Sequence, residues 1–291
     1  MIVGIFGRTF SKTCAPFVQA LLNELNKAKI TVLIFEDFQE FLLKNDFQNV
    51  SESTFNTKED IKGIEIMLSI GGDGTLLETV TYVAEMSTPI LGINAGRLGF
   101  LATIPIEKVT DAIHQIIAGS YGYDDRILVK ASTTDNLFGE LNFGLNEFVI
   151  HKRDTSSMIV VHTYVDGKFL NSYWVDGMIV STPTGSTGYS LSCGGPLVLP
   201  HTNNFIIAPV NPHNLNVRPM IVPDTSTISF QVEGRANKVL ISLDSRSKSA
   251  KMDTEISITK ADFHARLIAL PSDNFFNTLR HKLNWGLDTR N

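Results

Sequence analysis

A chain of 291 residues exceeds what one hydrophobic core usually holds, so two domains are the expectation. With 43% hydrophobic and 19% charged residues and a mean hydropathy of +0.06, it is neither disordered nor fibrous, and its apolar runs are strand-length rather than membrane-spanning. A net charge of −5 argues against the basic face of a nucleic-acid binder and favours a small-molecule partner.

The amino terminus, MIVGIFGRTF, lacks the charged start, long apolar centre and cleavage site of a secretory signal, so a cytoplasmic protein without a membrane partner is expected. Ile2 to Phe6 reads as a buried strand. From Ala15 to Ala28 the spacing of Phe17, Val18, Leu21, Leu22 and Leu25 makes one apolar helical face, and Thr31 to Phe35 is the next strand. Residues 44–60 are polar and read as a mobile loop. A third strand, Ile64 to Ile70, ends at Gly71, and a helix from Thr75 to Met86, a strand from Pro89 to Ile93 and a helix from Ile106 to Ala118 follow. This alternation is the pattern of a parallel α/β sheet. In such a sheet ligands bind beyond the carboxyl ends of the strands, where the sequence puts Asp73 and Asn94.

After GSYGYDDR the pattern changes to strands, at Ile127 to Thr133, Phe148 to Ile150, Met158 to Val165, Thr227 to Val232 and Val239 to Leu243, and helical spacing returns only in NFFNTLRHKLNWGL. The fold class that follows is an α/β N-terminal domain plus a mostly β C-terminal domain. The expected division is 1–123 for the α/β domain, 124–272 for the β-rich domain, and 273–291 for a terminal helix that packs back on the first domain.

Three stretches carry chemistry. In GGDGT, residues 71 to 75, glycines between a strand and a helix let a backbone approach an anion, yet Asp73 repels phosphate and so needs another task. Accepting a proton from a hydroxyl that attacks phosphorus is such a task, and metal binding is another. Neither the P-loop nor the dinucleotide fingerprint spacing is present. In DGMIVSTPTGSTGYSLSCGGP, residues 176 to 196, the hydroxyls of Thr184, Ser186, Thr187, Ser190 and Ser192 crowd around Tyr189, which is able to stack on a base. Apolar flanks at both ends imply that this loop is rigid. In GLNEFVI, Asn146 and Glu147 pair an amide with a carboxylate, a simple turn or a reader of ribose and adenine. Cys14 and Cys193 fit no zinc or redox spacing, and the seven histidines form no HExxH pattern, so no protein metal site is expected.

Taken together with GINAGRLGFL at 92 to 101, NPHNLNVRPMIVP and the tail FFNTLRHKLNW, these stretches resemble the NAD kinase family of bacterial type, in that family's order and along nearly the whole chain. The resemblance implies an N-terminal α/β domain and a C-terminal β-rich domain with NAD bound in the cleft between them. It implies transfer of a phosphoryl group from ATP, or in some members polyphosphate, to the 2′-hydroxyl of the adenosine ribose, giving NADP. Asp73 falls on the proton acceptor. Gly74, Asn146, Glu147, Asp176, Thr187, Gly188, Tyr189, Ser190, Leu191 and Ser192 fall on the nucleotide-binding positions. The family further implies a divalent metal, Mg²⁺ or Mn²⁺, accompanying ATP, and a cytoplasmic homo-oligomer, dimer or tetramer. On this reading Asp73→Asn leaves folding intact and cuts turnover by ~10²- to 10⁴-fold.

Two departures stand out: Gly188 where many bacterial members have alanine, and Arg246 in LDSR where glutamine is common. Trp174 occupies a variable position. Two other readings stay open at this level. Lipid kinases share GGDGT, but here it is followed by GINAGRLGFL rather than a GTxNDxAR-like stretch. A non-catalytic nucleotide-binding regulator would keep Tyr189 and its loop without needing Asp73.

Overall fold

The computed structural model describes residues 1–96, 98–153, 157–271 and 274–285. Arg97 of the GINAGRLGFL stretch, and residues 273 and 286–291 of the terminal segment, lie outside them. The chain divides into two compact units, Met1–Asp125 with Ala265–Asn291, and Arg126–His264.

The first unit is built on an eight-stranded sheet. Its central strands, Ile2–Gly7, Ile66–Gly71 and Ile90–Asn94, pair in parallel and are almost wholly buried, as apolar runs covered on both faces require. The helix Ala15–Lys27 has Pro16 in its first turn and buries Val18, Leu21, Leu22 and Leu25, so its i, i+3, i+4, i+7 stripe faces the core. The polar stretch 44–60 differs from the loop expected of it. A helix at Glu36–Lys44 leads into it, burying only Phe38 and Leu42, and within it Thr54–Phe55 adds a short parallel strand beside Ile34 and Phe35.

Late in the chain, the strand Ala265–Ala269 returns to this sheet and pairs in parallel with Ile90–Asn94. The terminal helix Phe275–Leu283 is capped by Asn274, whose side chain accepts the N–H groups of Phe276 and Asn277. It buries Leu279, and Lys282 donates to the carbonyl of Leu98. No helix among the described residues is long and apolar enough to cross a membrane.

The second unit consists of two six-stranded antiparallel sheets. One runs Met220–Pro223, Asn204–Val210, Gly177–Ser181, Glu147–Lys152, Lys238–Leu243, Arg246–Lys251. The other runs Lys168–Val175, Ile159–Val165, Ile228–Glu233, Ile256–Lys260, Val129–Thr133, Phe143–Gly144. Alternating side chains of both sheets, among them Phe148, Ile150, Val161, Phe205, Phe230 and Ile241, form a common core. On the opposite face of the first of these sheets, Val149, Ile179 and Ile206 are covered by Cys193 and Val198. The hydroxyl-rich loop is therefore held down by core packing at its exit.

Candidate active site

The first region lies where the strand Ile66–Gly71 passes into the helix Asp73–Val83. Asp73 opens that helix, and its carboxylate reaches the loop after Gly99. Its Oδ2 accepts the N–H of Phe100 at 2.8 Å, and its Oδ1 accepts those of Leu101 and Ala102 at 3.0 Å each. An ionised carboxylate offers about four lone-pair positions, so one, on Oδ2, is left for a further donor. A Cβ at Gly99 would overlap Asp73 Oδ1, which explains glycine there. Gly72 and Gly74 are different: both are exposed, neither has a positive φ, and an added Cβ at either would meet nothing. The protein's own packing does not ask for these two glycines, whereas a ligand lying close against the backbone would.

Asn94 is buried and holds the same loop: its Oδ1 accepts the N–H of Gly96 at 2.8 Å and its amide donates to the carbonyl of Ala102 at 3.3 Å.

The second region, in the other unit, joins the Asn146–Glu147 pair to the hydroxyl-rich loop. Antiparallel pairing sets Glu147 opposite Ser181, so the one segment starts its strand where the other leaves it. Thr182 then ties them: its N–H donates to the Asn146 carbonyl at 2.9 Å and its hydroxyl to that of Leu145 at 2.6 Å. A Cβ at Gly185 would overlap the Asn146 carbonyl, so only glycine permits this approach. Gly188 precedes the four-residue helix Tyr189–Ser192, and the backbone N–H of Tyr189 acts on the Glu147 carboxylate, pulling its pKa down.

Beside the Asn146–Glu147 pair stand Gly188 and Tyr189. Asn146 Oδ1 and Glu147 Oε2 are buried with no hydrogen-bond partner among the described residues, as is Ser190 Oγ, which lies toward Gly195. Buried polar atoms are normally paired, so the Asn146 and Glu147 oxygens are unmet hydrogen-bonding capacity. Burial and the nearby Asp244 carboxylate push the Glu147 carboxyl up to about 8, against the opposing pull of the Tyr189 N–H. Tyr189 is 38% exposed, so its ring is open to stacking.

The remaining expected residues are placed differently. Asp176 forms an ion pair with Lys152 at 2.6 Å and accepts from the Asn211 amide at 3.2 Å; the lysine contact is the main cause holding its carboxyl below the usual range. Thr187 donates its hydroxyl to the Thr184 carbonyl, Leu191 is half-buried and Ser192 is exposed. Thr184 and Ser186 serve the loop itself, the first accepting from Arg126 and the second bridging both backbone groups of Val198. Trp174 is largely exposed and lines a cavity of about 470 Å³ with His213 and Asn214.

Asp244 escaped the sequence reading. It occupies the two-residue connection between the strands Lys238–Leu243 and Arg246–Lys251, where an aspartate looks like an ordinary turn residue. Arg246, left open by the sequence, donates to the carbonyls of Leu141 and Phe143 and lies over the Phe143 ring.

Two family profiles match the chain: the ATP-NAD kinase N-terminal domain over residues 3–121 and the ATP-NAD kinase C-terminal domain over residues 145–270. The NAD kinase of Cytophaga hutchinsonii is 54% identical over 292 aligned residues, covering 100% of both chains, and that of Flavobacterium psychrophilum is 42% identical with the same coverage. Among solved structures, an NAD kinase from Archaeoglobus fulgidus in complex with ATP is 26% identical with a TM-score of 0.76, covering 98% of this chain and 99% of that one. Yeast NADH kinase complexed with NADH shares the fold, with a TM-score of 0.88 at 20% identity over 99% of this chain and 88% of that one. Full-length identity at this level, both family profiles and the same two-part architecture lead to one conclusion: the chain belongs to the ATP-NAD kinase family.

Proposed function

We infer that this enzyme, an NAD kinase, phosphorylates the 2′-hydroxyl of the adenosine ribose of NAD with ATP, and that Asp73 accepts the proton. The observation that carries the activity is identity along the entire length of a bacterial NAD kinase. The role of Asp73 is supported by its anchoring: three backbone donors fix the carboxylate and leave one acceptor position on Oδ2. In the reaction the ribose oxygen bonds to the γ-phosphorus as the bond from that phosphorus to the bridging oxygen breaks. The hydroxyl proton passes to Asp73 and ADP departs. Such base assistance is typically worth ~10²- to 10⁴-fold.

On the nucleotide side we assign Asn146, Glu147, Asp176 and Thr187 to Ser192 to NAD, with Tyr189 stacking on a base. Gly74 gives phosphate room to lie against the backbone. Among the described residues no group of three or more His, Cys, Asp or Glu side chains is arranged to hold a metal ion. By the family resemblance a divalent ion, Mg²⁺ or Mn²⁺, would accompany ATP and be held chiefly by its phosphates, offsetting their charge. The family resemblance also supports a cytoplasmic homo-oligomer.

The test is NADP⁺ formation by purified protein from NAD⁺, ATP and Mg²⁺, read through an NADP-specific dehydrogenase. Product from wild type, lost in Asp73→Asn, supports the activity and the base together. No product with ATP or polyphosphate would sink the kinase reading.

A further inference from the structure

The Asn146–Glu147 pair is built on a residue of another hairpin. Asp244 sits at the turn with a φ of 50°, and its carboxylate accepts three successive backbone N–H groups: Leu145 at 2.8 Å, Asn146 at 2.8 Å and Glu147 at 3.1 Å. Its own N–H is donated to the Glu147 carbonyl at 3.0 Å, and a Cβ at Gly144 would come within 3.1 Å of its Oδ1. Successive N–H groups converging on one anion form a backbone nest, and here the anion is a resident side chain. The nest fixes the backbone of 145–147, and with it the directions of two side chains that each leave a buried oxygen unbonded.

We propose that Asp244 is a positioning residue for NAD binding, fixing the 145–147 turn so that Asn146 and Glu147 face the nucleotide. The same carboxylate, standing beside Glu147, favours its neutral, proton-donating form. The proposal rests on the reading of that pair as a nucleotide contact.

Charge supports it. Among the described residues, the groups that face Glu147 are Asp244 from the hairpin, and Tyr189 and Cys193 from the short helix and its end, with no cation acting on it directly. Burial and Asp244 both push Glu147 up, to about 8. Burial pushes Asp244 up as well, but three N–H groups and the Arg246 guanidinium oppose this. Of two neighbouring carboxyls the proton resides on the one with an unbonded oxygen, which is Glu147. A neutral acid adds no second anion beside a pyrophosphate and gives a hydrogen bond to a ring nitrogen or ribose oxygen.

The experiment compares steady-state kinetics of wild type, Asp244→Asn and Glu147→Gln across a pH range that brackets 8. The asparagine keeps one oxygen for the nest but turns an amide donor toward the remaining N–H, and it removes the charge. We expect the KM for NAD to rise about tenfold or more, with a much smaller change in kcat and in the KM for ATP. In wild type the KM for NAD climbs as the pH passes about 8. In Asp244→Asn the climb begins at lower pH, because the like charge is gone. In Glu147→Gln, whose amide cannot titrate, the climb is absent. An unchanged KM for NAD in Asp244→Asn, or a raised one with the climb unmoved, overturns the proposal. Should Asp244→Asn not fold, Glu147→Gln decides: a climb that survives in it overturns the proposal, and its loss supports it. Wild type that forms no NADP fails the kinase reading itself, a result separable from wild-type turnover with unaffected variants.

Discussion

Two carboxylates, one in each unit, are handled in opposite ways. Asp73 is half-exposed and accepts three backbone N–H groups, whereas Glu147 is buried and keeps an unbonded Oε2 beside Asp244. Their glycines differ in parallel. Around Asp73, Gly72 and Gly74 open onto empty space, while beside Glu147, Gly185 is pressed against the Asn146 carbonyl. One region fixes a carboxylate with three N–H groups beside open backbone; the other packs backbone tightly around a carboxyl that keeps an unbonded oxygen. A carboxylate's chemistry is thus set by what the backbone donates to it.

The contrast breaks most severely at Asp73. Replacement by asparagine was expected to leave folding intact, but the structure alters that expectation. The amide turns a donor toward either the Phe100 N–H or those of Leu101 and Ala102, so the variant loses the proposed proton acceptor and loosens the loop at once. Turnover should fall ~10²- to 10⁴-fold, and stability by about 1–3 kcal/mol. A melt run beside the kinetic assay separates the two effects, and an unchanged melt would show that the loop does not depend on Asp73.

Glycine substitutions sharpen the comparison. Gly185→Ala puts a Cβ onto the Asn146 carbonyl and 2.5 Å from Ser181 Oγ, so it should cost about 1–3 kcal/mol and weaken NAD binding. Gly74→Ala meets nothing, so its melt should match wild type to within about 0.5 kcal/mol while turnover falls, provided a phosphate lies against that backbone. Full turnover in Gly74→Ala would remove the loop from phosphate binding.

How far the sequence carried this picture depends on local signal. The parallel strands and the helix Ala15–Lys27 are legible because their periodicity is long and apolar. Glu36–Lys44 was passed over because only Phe38 and Leu42 are buried amid acidic neighbours, and Thr54–Phe55 because two residues make no pattern. The strand Ala265–Ala269 is not among the strands the sequence picks out, and nothing local says that its partner is Ile90–Asn94. At the site, Tyr189 and the Asn146–Glu147 pair stand out by residue type, and the resemblance implies their nucleotide-binding role. Asp244 was hidden because a turn aspartate and a backbone cradle look alike until the three N–H groups are seen to converge.

A further expected effect concerns stability and pH. Glu147 titrates at about 8 in the folded chain and near the ordinary 4.3 when unfolded. Between those values the folded state holds a proton that the unfolded state has released, so unfolding becomes easier as the pH rises through the window. The stabilisation is complete below about pH 4.3 and lost by the time the pH passes about 8. Glu147→Gln removes this contribution, so its unfolding midpoint should vary less than that of wild type between those limits. Asp73 gives the control: the same comparison with Asp73→Asn should leave the Glu147 slope in place. Equal slopes in wild type and Glu147→Gln would mean that Glu147 is ionised in the fold, and the contrast between the two carboxylates would then lie in their backbone partners alone.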